Sequence, residues 1–335
     1  MTIQEIESAC MASQPLDFSR HPLEGPVLSQ RRTFYPLGFP AEVRTNSPEI
    51  LCLYREMWGM FKRKFNNEII RVDIHLVESD STVCPPKPVV RMMQPTLAFV
   101  ADSYNHSIAH LGRNHTQITV SRAALRHKRY LLHFFLGSSA AHHIATKHAT
   151  PIHAGCVALD DRGVLLCGDS GAGKSSLAYA CARAGWTFVA DDATFLLNGG
   201  GSRLVTGDCH HVRLRPAAAD LFPEINGLKM TPRVAGKPSI ELALAGLPNI
   251  VRAQSVKVDF IVFLNRCSGQ PPALLPYRRD VARYFMRQVL YGSTESLALQ
   301  YEAIERLLAL QVRELRYDNL ECAIQQLKTL VRERR

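Results

Sequence analysis

Eight residues, Gly168-Asp169-Ser170-Gly171-Ala172-Gly173-Lys174-Ser175, constrain this chain more than any other feature. They satisfy the spacing G-x-x-x-x-G-K-[ST] in full. The apolar run "GVLLC" precedes them, and "SSLAYACARA" follows, a stretch of good helix formers that stops at Gly185, a natural left-handed cap. Strand, glycine loop and helix in that order make a phosphate-binding loop. Its glycines let main-chain N–H groups turn toward phosphate oxygens, and the helix N-terminus, through Ser176, adds positive potential. Lys174 can neutralise β- and γ-phosphates, and the Ser175 hydroxyl can ligate Mg²⁺. ATP is expected over GTP, because "FLNRCSG" at 263–269 lacks the aspartate that would hold a guanine edge.

An acidic pair follows unusually soon. "WTFVA" reads as a buried strand running into Asp191-Asp192. A strand–helix–strand crossover makes the two strands parallel, so the aspartates emerge at the same sheet edge as the glycine loop. Two adjacent carboxylates allow a division of labour, one beside a metal and one taking a proton from an attacking hydroxyl. Like charges in one pocket also raise one of their pKa values. Upstream, two apolar runs flank Asp160-Asp161-Arg162-Gly163, a hairpin signal. Pairing about a turn near 161–162 sets His153 beside Gly168 and Ser170.

The block "IHAGCVALDDRGVLLCGDSGAGKSSLAYACARAGWTFVADD" resembles the catalytic core of the bacterial HPr kinase/phosphorylase family. That family phosphorylates a serine on a small phosphocarrier protein, and its fold relates it to phosphoenolpyruvate carboxykinase. The resemblance implies Asp191 as the base, Asp192 as a metal-side carboxylate and His153 as an orienting or charge-tuning group. In "PEINGLKM", Glu224-Ile225 and Gly227 match the family's Glu-Ile-Arg-Gly segment, with Asn226 in place of arginine, which makes Glu224 a further metal-ligand candidate. The family's Val-Arg-Pro-Gly-Arg signature is absent. The fold so implied is α/β, a P-loop-containing HPr kinase/phosphoenolpyruvate carboxykinase-like core with a smaller α+β N-terminal domain. The function so implied is an ATP- and Mg²⁺-dependent serine kinase acting on a protein or peptide acceptor. A small-metabolite kinase and a nucleotide-gated binding protein without transfer are the alternatives.

The 335 residues suit two domains, read as a loosely structured arm over 1–30, an α+β domain over 31–150 for acceptor or partner recognition, and a catalytic domain over 151–335. Asn46-Ser47-Pro48 reads as a cap opening a helix from Glu49 to Phe61. "IIRVDIHLVES", "TLAFVADS" and "TQITVSR" read as strands, "PPKPVV" as a turn, and "RYLLHFFLGSSAAHHIATKHA" as a helix running into a junction at Thr150-Pro151. The net charge of +10 is dispersed rather than striped, so nucleic acid is not expected, and no stretch reaches the ~18 apolar residues of a membrane span. Nine scattered cysteines without a CxxC fit reduced thiols in a cytoplasmic protein. His106, His110 and His115 flank a Gly-Arg-Asn turn and read as loop residues rather than metal ligands. "LKMTPRVAGKPSIEL" reads either as a mobile loop bringing Lys229, Arg233 and Lys237 to phosphates or the acceptor, or as an exposed basic loop. Arg213 and Arg215 share one face of an edge strand and read as structural. A homo-oligomer is left open.

Overall fold

The computed structural model describes residues 27–93, 95–199, 203–231 and 238–333, together with 8, 11 and 12. Most of the expected arm, and Arg233 and Lys237 of the basic segment, lie outside the described residues. The chain divides into two compact units, Met1–His148 and Ala149–Arg335.

The first unit carries β1 (Gln30–Phe34), β2 (Ala41–Thr45), α1 (Pro48–Trp58), β3 (Ile70–Val77), β4 (Val89–Met93), β5 (Thr96–Asp102), β6 (Asn105–His110), β7 (His115–Ser121), α2 (Arg122–Arg126), α3 (Lys128–Leu131) and α4 (Ser138–His143). Its strands form one mixed sheet in the order β1-β2-β3-β7-β6-β5-β4, parallel at β2-β3 and β3-β7. The Ser47 hydroxyl caps α1 by accepting the Ile50 N–H at 3.4 Å, with Pro48 in the first turn. A buried pair, Tyr54 and Ser139, bonds at 3.0 Å through their hydroxyl oxygens and ties α1 to α4. The helical stretch 128–148 includes π-turns at Leu132–Leu136 and Ile144–His148.

Two expectations are corrected here. His106 and His110 lie on β6, which pairs with both β5 and β7, and His115 opens β7 opposite His110; "NHSIAH" is too polar to announce itself as a strand. The last two residues of "PPKPVV" open β4 rather than completing a turn.

The second unit contains β8 (Ala149–Ile152), β9 (Ala154–Leu159), β10 (Arg162–Cys167), α5 (Lys174–Arg183), β11 (Thr187–Ala190), β12 (Thr194–Leu197), β13 (Leu204–Gly207), β14 (His211–Leu214), β15 (Ile240–Ala243), β16 (Ser255–Arg266), β17 (Ala273–Pro276), α6 (Arg279–Arg287), α7 (Thr294–Leu308), β18 (Gln311–Tyr317) and α8 (Leu320–Arg332). The main sheet runs β11-β9-β10-β16-β13-β12-β8, with β18 also on β16 and β17 on β18; β14 and β15 form a separate ribbon. Thr150-Pro151, expected as a junction, lies inside β8, where Pro151 is tolerated because β8 ends its sheet path. Strand alternation sorts the core into two faces. Val164, Leu166, Phe260 and Val262 pack with Leu177 of α5 and Leu327 of α8. Leu165, Cys167, Ile261 and Phe263 pack with Ala282 of α6 and Ile304 of α7. The fold is α/β with mixed sheets in both units. Among the described residues, no helix is long and apolar enough to cross a membrane.

Candidate functional site

β9 and β10 form a hairpin whose turn, Asp160-Asp161, has φ of +51° and +59° at its two central residues. Such a primed turn follows the natural twist of the strands, and aspartate is among the residues that tolerate it. The turn lies one residue earlier than expected, and its register, Cys167 opposite Ala154, sets His153 across from Gly168. β10 and β11 are parallel, but they are not neighbours: antiparallel β9 lies between them. β9 therefore starts at the edge where β10 and β11 end. His153, the glycine loop and the Asp191-Asp192 pair all stand at that edge.

Gly168, Gly171 and Gly173 have φ of +146°, +98° and +98°, a region that suits glycine because it has no Cβ to clash. Gly173 is the N-cap of α5, with no side-chain cap bond and no acidic residue in the first turn. The first-turn N–H groups of Lys174, Ser175 and Ser176 thus lack intrahelical partners. Asp169, Ser170 and Gly171 are exposed, Ala172, Ser175 and Ser176 are half-buried, and Lys174 is buried. At the far end Gly185 takes φ +87°, with the Gly185 N–H donating to Ala182 and the Trp186 N–H to Cys181.

Lys174 is 5% exposed. Its Nζ donates to the Gly168 carbonyl at 2.7 Å, the Asp169 carbonyl at 3.2 Å and His153 Nε2 at 3.0 Å, and lies 3.7 Å from Asp192 Oδ1. An ammonium can only donate, so Nε2 of His153 accepts and the ring proton sits on Nδ1, which lies 3.6 Å from Asp192 Oδ1. Burial lowers the Lys174 pKa against the pull of Asp192. Burial, then the Lys174 charge, also lowers that of His153 and favours a neutral ring.

The two aspartates differ sharply. The Asp192 side chain is 52% exposed and faces Lys174 and His153. Asp191 is buried, and its Oδ2 accepts the main-chain N–H of Arg213 at 2.8 Å. Burial pushes the Asp191 carboxyl up to about 6; the Arg213 N–H opposes this, and the Asp192 and Asp208 charges add to it. The like-charge effect expected between the pair is therefore secondary to burial. The chain places Asp191 through a register shift between Phe188 and Ala190 in the β11–β9 pairing, the bulge that re-aims a strand end. Close packing requires glycine beside it: a Cβ at Gly155 would lie 2.9 Å from the Asp191 carbonyl, and one at Gly207 would lie 2.5 Å from Ala190 Cβ.

Glu224 is engaged elsewhere. Its Oε1 accepts the Tyr179 hydroxyl at 2.6 Å and lies 3.4 Å from Arg183 Nε, one turn and more along α5 from Ser175. Among the described residues, no group of three or more His, Cys, Asp or Glu could hold a metal ion. Arg213 reaches Glu241 with its side chain at 3.0 Å, and Arg215 is exposed. Asn265 bonds to Glu314 at 2.5 Å.

Two contributors were not foreseen. The Arg213 N–H comes from the main chain, which no side-chain pattern marks. Tyr317 donates its hydroxyl to the Ala172 carbonyl at 2.9 Å from 145 residues away, a separation across which no local sequence rule acts.

No family model matches the chain, and no curated protein matches it. Among solved structures, one match is the Hpr(Ser) kinase/phosphatase from Coxiella burnetii, at 16% identity and a TM-score of 0.28, covering 55% of this chain and 94% of that one.

Proposed function

We propose that the chain is an ATP- and Mg²⁺-dependent kinase, an HPr-kinase-like phosphotransferase that moves the γ-phosphoryl group to a serine hydroxyl of a protein or peptide. In this reading 168–175 is a Walker A loop and the second unit is the catalytic core. The observation that supports it most is the convergence on Lys174, whose Nζ lies 3.0 Å from His153 and 3.7 Å from Asp192 at the start of a helix with uncapped N–H groups. Binding a nucleotide needs the loop and one carboxylate. A second carboxylate with a raised proton affinity and a histidine at the same edge favour transfer over binding alone.

The donor set suits both groups. The uncapped helix start and Lys174 suit the phosphates of ATP, and Ser175 with Asp192 suits Mg²⁺, which keeps most of its oxygens from water and phosphate. Mg²⁺ when bound supplies positive charge at the phosphate oxygens. Asp191, its carboxyl pushed up to about 6 by burial, takes the proton from the acceptor serine. The serine oxygen then bonds to the γ-phosphorus as the β–γ bridging P–O bond breaks, and the electron pair leaves with ADP. Lys174 stabilises charge on the transferred group, and His153 holds Lys174 and Asp192 in register. Acceptor recognition is assigned to residues 31–150, and scattered free thiols suit a reducing compartment.

Incubation with γ-labelled ATP and host extract tests this reading. The expected product is a labelled protein or peptide carrying acid-stable, alkali-labile phosphoserine. Label confined to free phosphate, or found in a small metabolite, would overturn it in favour of a nucleotide hydrolase or a metabolite kinase.

A further inference from the structure

Tyr317 ends β18, and its ring is 1% exposed. Its hydroxyl donates to the Ala172 carbonyl at 2.9 Å, from outside the glycine loop. The position where a Cβ would stand on Gly173 is 2.6 Å from the same hydroxyl oxygen. Gly173 is therefore required twice, once by its φ of +98° and once by the Tyr317 oxygen pressed against it. The strand end that carries Tyr317 is itself fixed. The Tyr317 carbonyl accepts the Cys267 N–H at 2.9 Å, and β18 pairs with β16 along residues 311–317.

The consequence follows from peptide geometry. In a trans peptide the C=O and the following N–H point in opposite directions. Holding the Ala172 carbonyl toward Tyr317 directs the Gly173 N–H away from it, off the packed side of the loop. The other loop carbonyls with a side-chain donor, those of Gly168 and Asp169, are held by Lys174. One donor thus acts from within the loop and one from behind it.

We infer that Tyr317 is a positioning residue for phosphate binding, its hydroxyl fixing the 172–173 peptide so that the Gly173 N–H is presented to a nucleotide phosphate. The inference rests on the nucleotide-binding reading above. It assigns a role to a residue far from the loop in sequence that the phosphate-loop spacing does not include.

Calorimetric titration of Mg·ATP into the full chain tests it, with five proteins compared: wild type, Tyr317→Phe, Gly173→Ala, the double variant of these two, and Lys174→Ala. Tyr317→Phe keeps the buried ring and removes only the oriented donor. It should weaken Mg·ATP binding about 3- to 10-fold, the worth of one oriented hydrogen bond, with the thermal midpoint moving little. Gly173→Ala should weaken binding more in the wild-type background than in Tyr317→Phe, because the phenyl variant removes the oxygen that the new methyl would strike. Equal affinity of wild type and Tyr317→Phe, with Lys174→Ala still losing binding, would overturn the positioning role and leave the nucleotide reading standing. A Gly173→Ala penalty of the same size in both backgrounds would also overturn it. Absence of Mg·ATP binding by the wild type removes both, and that result is distinguishable because it needs no variant.

Discussion

His143 in the first unit and Lys174 in the second are both buried ionisable groups, and they are treated in opposite ways. His143 is 0% exposed. Its Nε2 meets the Thr116 hydroxyl at 2.7 Å, and that hydroxyl donates onward to the Ser139 carbonyl, so the ring must supply the proton to Thr116. Nδ1 of His143 is then left buried without a hydrogen-bond partner. Burial, with lesser contributions from neighbouring charges, pushes the pKa down to about 3, and burial takes half-buried His142 to about 4. Lys174 is also buried, but two carbonyls, a histidine nitrogen and a nearby carboxylate converge on its charge. Where no acceptor meets the second ring nitrogen, as at His143, burial selects the neutral form and the group belongs to the core. Where partners converge beside an exposed loop, the charge is kept and can be handed to a ligand.

The largest expected effect tests the second half of this contrast. Lys174→Ala should reduce phosphoryl transfer by about 10³-fold or more and lower nucleotide affinity as well. Unchanged turnover, measured with labelled ATP, would end the assignment. Next come the carboxylates. Asp191→Asn should bind Mg·ATP within several-fold of wild type and lose about 10²- to 10⁴-fold in transfer, the worth of a positioned base. Asp192→Asn should instead require more Mg²⁺ for half-maximal activity. If the metal titration moves with Asp191→Asn and only the rate with Asp192→Asn, the roles are reversed, a result that the exposure of Asp192 beside Lys174 would explain.

The third effect belongs to the first unit. A histidine with a folded pKa below its unfolded value of ~6.5 contributes stability that is complete above that value and is lost as pH falls toward the folded pKa. From pH 7 to pH 5, His143 alone should reduce stability by about 2 kcal/mol, read as a lower denaturant midpoint. His143→Gln should flatten this pH dependence whatever it does to the midpoint at pH 7. An equally steep dependence in that variant would show that His143 is not its source. The smallest effect is the control. Arg283 and Glu305 pair at 2.7 Å across α6 and α7, both substantially exposed. Glu305→Gln should change stability by under ~1 kcal/mol.

What was legible in the sequence was what short range controls. The spacing of 168–175, the hairpin between two apolar runs and the right-handed crossover together place His153, Lys174 and the two aspartates at one sheet edge. Local rules therefore specify most of the site. The strands β6, β12 and β13 were not read, because four to six residues of mixed polarity such as "NHSIAH" carry no clear period, and sheet neighbours decide their state. Nor could the sequence distinguish Asp191 from Asp192. That distinction rests on a main-chain donor 22 residues away and on the room left by Gly155 and Gly207. Glu224 is the converse case: its motif is present except for Asn226 in place of arginine, and in the structure Tyr179 and Arg183 engage its carboxylate.

The hairpin of β9 and β10 also separates two kinds of tolerance to rewiring. Its open end holds His153 and Gly168, while its closed end, Asp160-Asp161, is exposed, with Asp160 3.6 Å from Arg332 at the end of α8. Six-residue strands put roughly 20 Å between those ends. A short peptide tag or a small fluorophore inserted between Asp160 and Asp161 would stand a strand's length from Lys174, next to the chain's last helix. The same turn is a natural place to open the chain of the second unit, because the strands on either side stay paired with β11 and β16.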